Sequence, residues 1–240
     1  MKKHSIINCK NCGHNFHGNY CPECGQSAHT ERINSHFFLH DIPHSVLHID
    51  KGFFYTFKEL IVRPGHAIRE YLDGKRVRHF RPLAYLLLLS TLSTLVSKIC
   101  FYFTEKEYLA QGLKATIHQS CLSQYISLFF ILMIPIMSLA SWLVFRHYKY
   151  NFWEHLLLET FIVAQFNIVL IVMHIGTYLG WSSSFTPYLI TYFIYVGFTY
   201  GQFYVKVKWE FLLINVCIFL QVMLYITGLS LSGIMTKWWE

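Results

Sequence analysis

Four cysteines carry the clearest chemistry in this sequence. They occur as Cys9-Lys10-Asn11-Cys12-Gly13 and Cys21-Pro22-Glu23-Cys24-Gly25, two CxxCG turns with eight residues between Cys12 and Cys21. A tight turn with cysteines three apart offers two thiolates to one ion. Two such turns complete the tetrahedral four-sulfur set that zinc takes at bond lengths of about 2.3 Å. Each glycine permits a left-handed turn that aims backbone N–H groups at sulfur. Asn15, Phe16, His17, Gly18 and Asn19 make the turn between the knuckles, with Phe16 and Tyr20 placed to cover the site. The expected cofactor is structural zinc. Iron suits the same thiolates and would make the head an electron carrier, whereas disulfides are disfavoured in a reducing compartment. So short a head holds almost no core, so a metal would supply most of its folding free energy.

Two other groups of side chains could do chemistry. His36, His40, His44 and His48 recur every fourth residue, a spacing that on an unbroken helix aligns imidazoles for a second metal or a proton site. Pro43 interrupts that helix, and solvated or headgroup-facing histidines are the competing reading. Glu154, His155, Glu159, Gln165 and His174 follow one another along a later apolar stretch, where an acid marks a candidate polar pathway. The competing reading is structural, with Glu159 reaching water or pairing with Arg146 or Lys149. No phosphate loop, zincin pattern or nucleophile with a nearby base occurs, so no catalytic residue is assigned.

The elements that must position these groups follow from composition. With 54% hydrophobic and only 14% charged residues, the chain reads as an integral membrane protein. Five apolar stretches, residues 83–103, 122–145, 156–179, 185–205 and 211–235, each reach the roughly 20 residues that cross a bilayer. Of the 20 Lys/Arg residues, 12 precede the first stretch. That asymmetry puts the N-terminus in the cytoplasm and the C-terminus on the opposite side. Met1 leads into polar, cysteine-bearing sequence rather than an apolar signal region. The predicted fold is all-α: about five transmembrane helices, a small N-terminal four-cysteine zinc ribbon and interfacial amphipathic helices.

Three domains result: a ribbon over residues 1–30, a membrane-surface platform over 31–82 and a transmembrane body over 83–240. Residues 27–34 are polar and aperiodic and read as a linker. In the platform, Phe53, Phe54, Phe57, Leu60 and Ile61 fall on one side of a helix. A second short helix starts at Pro64 and stops before Gly74, with Ile68, Tyr71 and Leu72 inward. Lys75, Arg76, Arg78 and Arg81 then form a basic cluster suited to anionic lipid headgroups. Lipid is thus the expected partner, with a membrane protein as a second and nucleic acid disfavoured.

The platform also resembles a known family, the bacterial membrane proteins grouped as domain of unknown function 3667. The resemblance rests on the two CxxCG knuckles, on Asp50-Lys51-Gly52 with Thr56 and Leu60, on Arg63-Pro64-Gly65 with Ile68-Arg69 and Tyr71, and on Gly74-Lys75-Arg76 followed by Pro82. Tyr150-Asn151-Phe152 with Glu154-His155 extends it loosely. It implies a ribbon joined to a membrane domain in a bacterial inner membrane, and no activity. The functional expectation is a non-enzymatic scaffold or adaptor that binds lipid or a partner. The alternatives are a transporter, channel or lipid-moving protein using the polar residues of the third stretch, and a metal-dependent membrane enzyme.

Overall fold

The computed structural model describes residues 6–38, 52–110, 126–181 and 186–204. Those residues are mostly helical. The head contributes a small antiparallel hairpin, β1 (Ile7–Asn8) with β2 (Asn15–Phe16), paired Ile7 to Phe16 and Asn8 to Asn15. Its loop is the first cysteine knuckle. A single bridge between Tyr20 and Ser27 closes the second.

Beyond a helical turn at 35–38, six helices follow among the described residues: α1 (Gly52–Val62), α2 (Pro64–Leu72), α3 (Pro82–Ala110), α4 (Ile126–Val144), α5 (Phe152–Tyr178) and α6 (Thr186–Tyr204). Local chemistry sets several of their ends. Pro64 occupies the first turn of α2, where its missing N–H costs nothing. Gly74 ends that helix at φ +105°, and the Lys75 N–H returns to the Glu70 carbonyl at 2.9 Å. α5 starts with a capping box: the Asn151 side chain accepts from the Glu154 N–H at 2.9 Å, and the Glu154 carboxylate accepts from the Asn151 N–H at 2.7 Å.

α5 is the central element. It packs against α3, α4 and α6, while α2 lies against α6. The segment Pro82–Thr104 of α3 and the whole of α5 are long and apolar enough to cross a membrane, and Phe130–Val144 is a shorter apolar helix. Helices thus occupy four of the five expected apolar stretches, but only two of them reach spanning length and hydropathy among the described residues. The fifth stretch, 211–235, lies outside them.

Two expectations are corrected. Residues 27–34 are not a free linker: Ile33 is fully buried in the main core with Tyr71, Tyr85 and Leu157, and Arg32 reaches Glu154. The segment is a strap that fastens head to bundle. The face expected of α1 is also divided. Thr56 and Leu60 are fully buried and Phe53 packs against Phe80 and Tyr85, but Phe54 and Ile61 point outward. α2 buries Ile68, Tyr71 and Leu72 as expected.

Candidate metal centre and buried polar cluster

The two knuckles have the same local geometry. The Gly13 N–H returns to the Cys9 carbonyl at 2.8 Å and the Gly25 N–H to the Cys21 carbonyl at 2.9 Å. In the same register, the Cys9 N–H donates to His14 and the Cys21 N–H to Gln26. Both glycines adopt positive φ, +76° and +75°, so the turn that brings the paired thiols together is one that an L side chain resists.

The result is one cluster. The Sγ atoms of Cys9, Cys12, Cys21 and Cys24 all lie within 4.8 Å of one another, with Cys9–Cys24 and Cys12–Cys21 at 3.5 Å. A tetrahedral ion with sulfur bonds of about 2.3 Å needs sulfur–sulfur edges of about 3.8 Å, so the four thiols are positioned to hold a metal ion. Disulfides, at about 2.05 Å, would require a collapse of this arrangement.

The electrostatics agree with the geometry. Burial raises the Cys9 thiol, but N–H groups of Cys12 and Asn11 and the thiols of Cys24 and Cys12 outweigh it and bring Cys9 down to about 6. At Cys12 a backbone contact from His14 lowers the thiol, yet desolvation and the surrounding sulfurs of Cys21, Cys24 and Cys9 push it up to about 12. Crowded thiolates repel, and a divalent cation removes that conflict.

The head is clamped to the platform. Across that boundary the Arg76 N–H donates to Gln26 Oε1 at 3.3 Å, while within the head Lys10 Nζ donates to the Thr30 carbonyl at 2.8 Å. Arg76 also donates to the Glu31 carbonyl at 2.8 Å and lies 5.1 Å from the Phe37 ring and 5.4 Å from the Tyr71 ring. From the strap, Arg32 makes a bidentate pair with Glu154, Nε to Oε1 at 2.8 Å and Nη2 to Oε2 at 2.7 Å. Asn151 Nδ2 donates to the Ile33 carbonyl at 3.0 Å. One carboxylate therefore caps α5 and holds the strap.

The other polar residues of α5 point to different neighbours. His155 and Glu159, one turn apart, face α4 and α6: His155 Nδ1 lies 2.9 Å from Ser141 Oγ and 3.3 Å from the Tyr204 hydroxyl, and the Tyr200 hydroxyl donates to Glu159. Gln165 Oε1 instead accepts from Tyr85 of α3 at 2.7 Å. His174 is buried further along the helix. His155 and Glu159 thus share a buried cluster, while Glu154 serves the strap and Gln165 joins α3.

Among the remaining expected residues, His36 is exposed on a helical turn at 35–38, and His40, His44 and His48 lie outside the described residues. Of the basic cluster, Arg76 is committed inward and Lys75 lies 3.7 Å from Glu70, whereas Arg78 and Arg81 are exposed. Arg32, Tyr85, Ser141, Tyr200 and Tyr204 were not anticipated. The Asn-x-x-Glu spacing before an apolar run is the signal that could have found the α5 cap.

A tight contact involves the Arg-Pro-Gly motif. A Cβ on Gly65 would lie 2.4 Å from Phe203 N and 2.5 Å from the Thr199 carbonyl oxygen, so α2 meets the α6 backbone through this glycine. Gln202 ties the joint: its Oε1 accepts from the Gly65 N–H at 3.2 Å and its carbonyl from Arg69 at 2.9 Å. Thr56 Oγ1 accepts from the Phe80 N–H at 2.7 Å, fixing the turn that leads into α3.

Residues 50–94, which supply Thr56, Gly65, Arg69 and Phe80 to these joints, match the family model described as protein of unknown function (DUF3667). Searches of curated proteins and of solved structures found no match.

Proposed function

We propose that this chain, a member of the DUF3667 family, is a non-enzymatic integral membrane scaffold that presents a zinc-bound head at the cytoplasmic surface of a bacterial inner membrane. In this reading the body has five membrane helices, the four cysteines hold structural zinc, and the head and platform bind lipid headgroups or a partner membrane protein. One observation carries it: the strap joins the cysteine head to the bundle through Ile33 and the Arg32–Glu154 pair, so the head is held in a set orientation rather than tethered. A fixed orientation suits a contact module.

The buried cluster of His155, Glu159, Ser141, Tyr200 and Tyr204 supports a second reading, a conduit or lipid-moving protein that uses those groups. Complementation of a deletion strain separates the two. A scaffold is complemented by Glu159→Gln and His155→Gln but not by Cys9→Ser/Cys24→Ser, provided each variant accumulates in the membrane. Loss of complementation by the Glu159 or His155 variant at normal abundance rejects the scaffold.

A further inference from the structure

Of the apolar face expected to meet lipid, Leu60 and Phe53 are used by the core, whereas Phe54 and Ile61 stay outward and form an apolar stripe with their neighbours. Phe54, Lys58, Ile61 and Val62 fall at i, i+4, i+7 and i+8 and therefore share one side of the helix. That side is uncovered: Phe54 is 73% exposed, Ile61 50% and Val62 61%. Three large apolar groups on an 11-residue helix are a poor water-facing surface.

The surroundings identify what covers them. Lys58 lies within the stripe, where its long stem can follow the apolar side chains and bring its ammonium to a polar boundary. Arg78 flanks one end, because its carbonyl oxygen lies 3.1 Å from the position of a Cβ on Gly52, the first residue of α1. Both cations are exposed, and neither makes an ion pair among the described residues. Val77, 44% exposed, adds an apolar group beside Arg78, and four residues later Pro82 begins the first candidate span. Apolar side chains interleaved with cations, at the foot of a membrane-length helix, match the boundary of an anionic bilayer.

We infer that the outward stripe of α1, Phe54, Lys58, Ile61 and Val62, together with Arg78, is an anionic-phospholipid contact that seats the platform in the membrane surface. The inference rests on the membrane reading above and changes its residue assignment. Lys58 and Arg78 are the headgroup contacts; Arg76, turned toward Glu31, Phe37 and Tyr71, is a structural residue.

The test uses the full chain in nanodiscs of equal phosphatidylglycerol and phosphatidylcholine, with a photo-crosslinking phenylalanine analogue at position 54, 62 or 92. Leu92 is an exposed residue of α3 and reports the membrane reading by itself. The expected result is acyl-chain adducts from all three positions. In parallel, the phosphatidylglycerol excess among co-purified lipids should fall about five-fold for Lys58→Gln or Arg78→Gln. Arg76→Gln should keep that excess while lowering thermal stability. Lipid adducts at 92 without any at 54 or 62 overturn this proposal alone, as does an unchanged lipid ratio in the Lys58 and Arg78 variants. Protein adducts at 54 and 62 overturn it in favour of a partner surface. Absence of lipid adducts at all three positions overturns the membrane reading as well.

Discussion

Replacing Gly65 with alanine tests the packing argument most sharply. The added methyl would meet Phe203 N at 2.4 Å, the Thr199 carbonyl oxygen at 2.5 Å and Gln202 Cβ at 2.6 Å. Two of those atoms are backbone and cannot rotate away, so α2 must retreat from α6 by an appreciable part of a carbon diameter. Overpacking of this kind costs about 1–3 kcal/mol. The retreat also stretches the Gly65 and Arg69 hydrogen bonds to Gln202, each worth about 1 kcal/mol net. Alanine restricts the unfolded chain and returns about 0.4–1 kcal/mol. The net loss is about 2–4 kcal/mol, a fall in thermal midpoint on the order of 10 °C for a chain of this size. Gly201→Ala is the matched control: it lies on α6 near the joint, but a Cβ there meets nothing within 4 Å. It should be neutral or stabilising by up to about 1 kcal/mol, the helix-propensity gain. Thermal unfolding of the two detergent-solubilised variants beside the parent makes the comparison. Equal midpoints for Gly65→Ala and Gly201→Ala would refute the close α2–α6 contact.

Glu154→Ala removes both the α5 cap and the partner of Arg32, and should lower stability by about 2 kcal/mol. Trypsin should then cut after Arg32 at least about ten-fold faster, because cleavage follows the population of the opened strap. Stability should also fall as the medium is acidified, because burial, with Glu70 opposing and Arg63 adding, holds His79 at about 4 against an ordinary 6.5. The unfolded chain therefore binds the extra proton first, and stability present above pH 6.5 is lost on descending toward pH 4, by roughly 3 kcal/mol in full. Urea titrations at several pH values should show this slope in the parent and a flatter one in His79→Phe. At Glu70, burial opposes the shift, but Arg63 and Lys75 hold the carboxylate below its usual range. Its stabilisation is likewise lost with acid, at lower pH, so the His79 variant should retain that lower limb.

The parts of the structure legible in the sequence were those governed by neighbouring residues. The CxxCG spacing determines a knuckle within five residues, and Pro64 and Gly74 delimit α2 through their own backbone preferences. The missed features depend on distant partners. Nothing in residues 27–34 reveals that Arg32 will meet a carboxylate 122 positions away, or that Ile33 will enter the main core. α1 is apolar on more than one side, so periodicity could not say which face would be buried. Arg76 belongs to a run of cations that composition treats alike, but the adjacent Tyr71 and Phe37 rings and the Glu31 carbonyl draw it inward. The polar residues of α5 looked like one series because they share a helix. Their partners lie on the strap, on α4 and α6, and on α3.

The central claim is that the four thiols form a single metal centre from which the oriented head is built. Elemental analysis of the purified full chain, beside Cys9→Ser/Cys24→Ser, tests it directly. One zinc ion per parent chain and none in the double variant is the expected result; a parent free of metal, or zinc retained after both cysteines are replaced, would overturn the single metal centre.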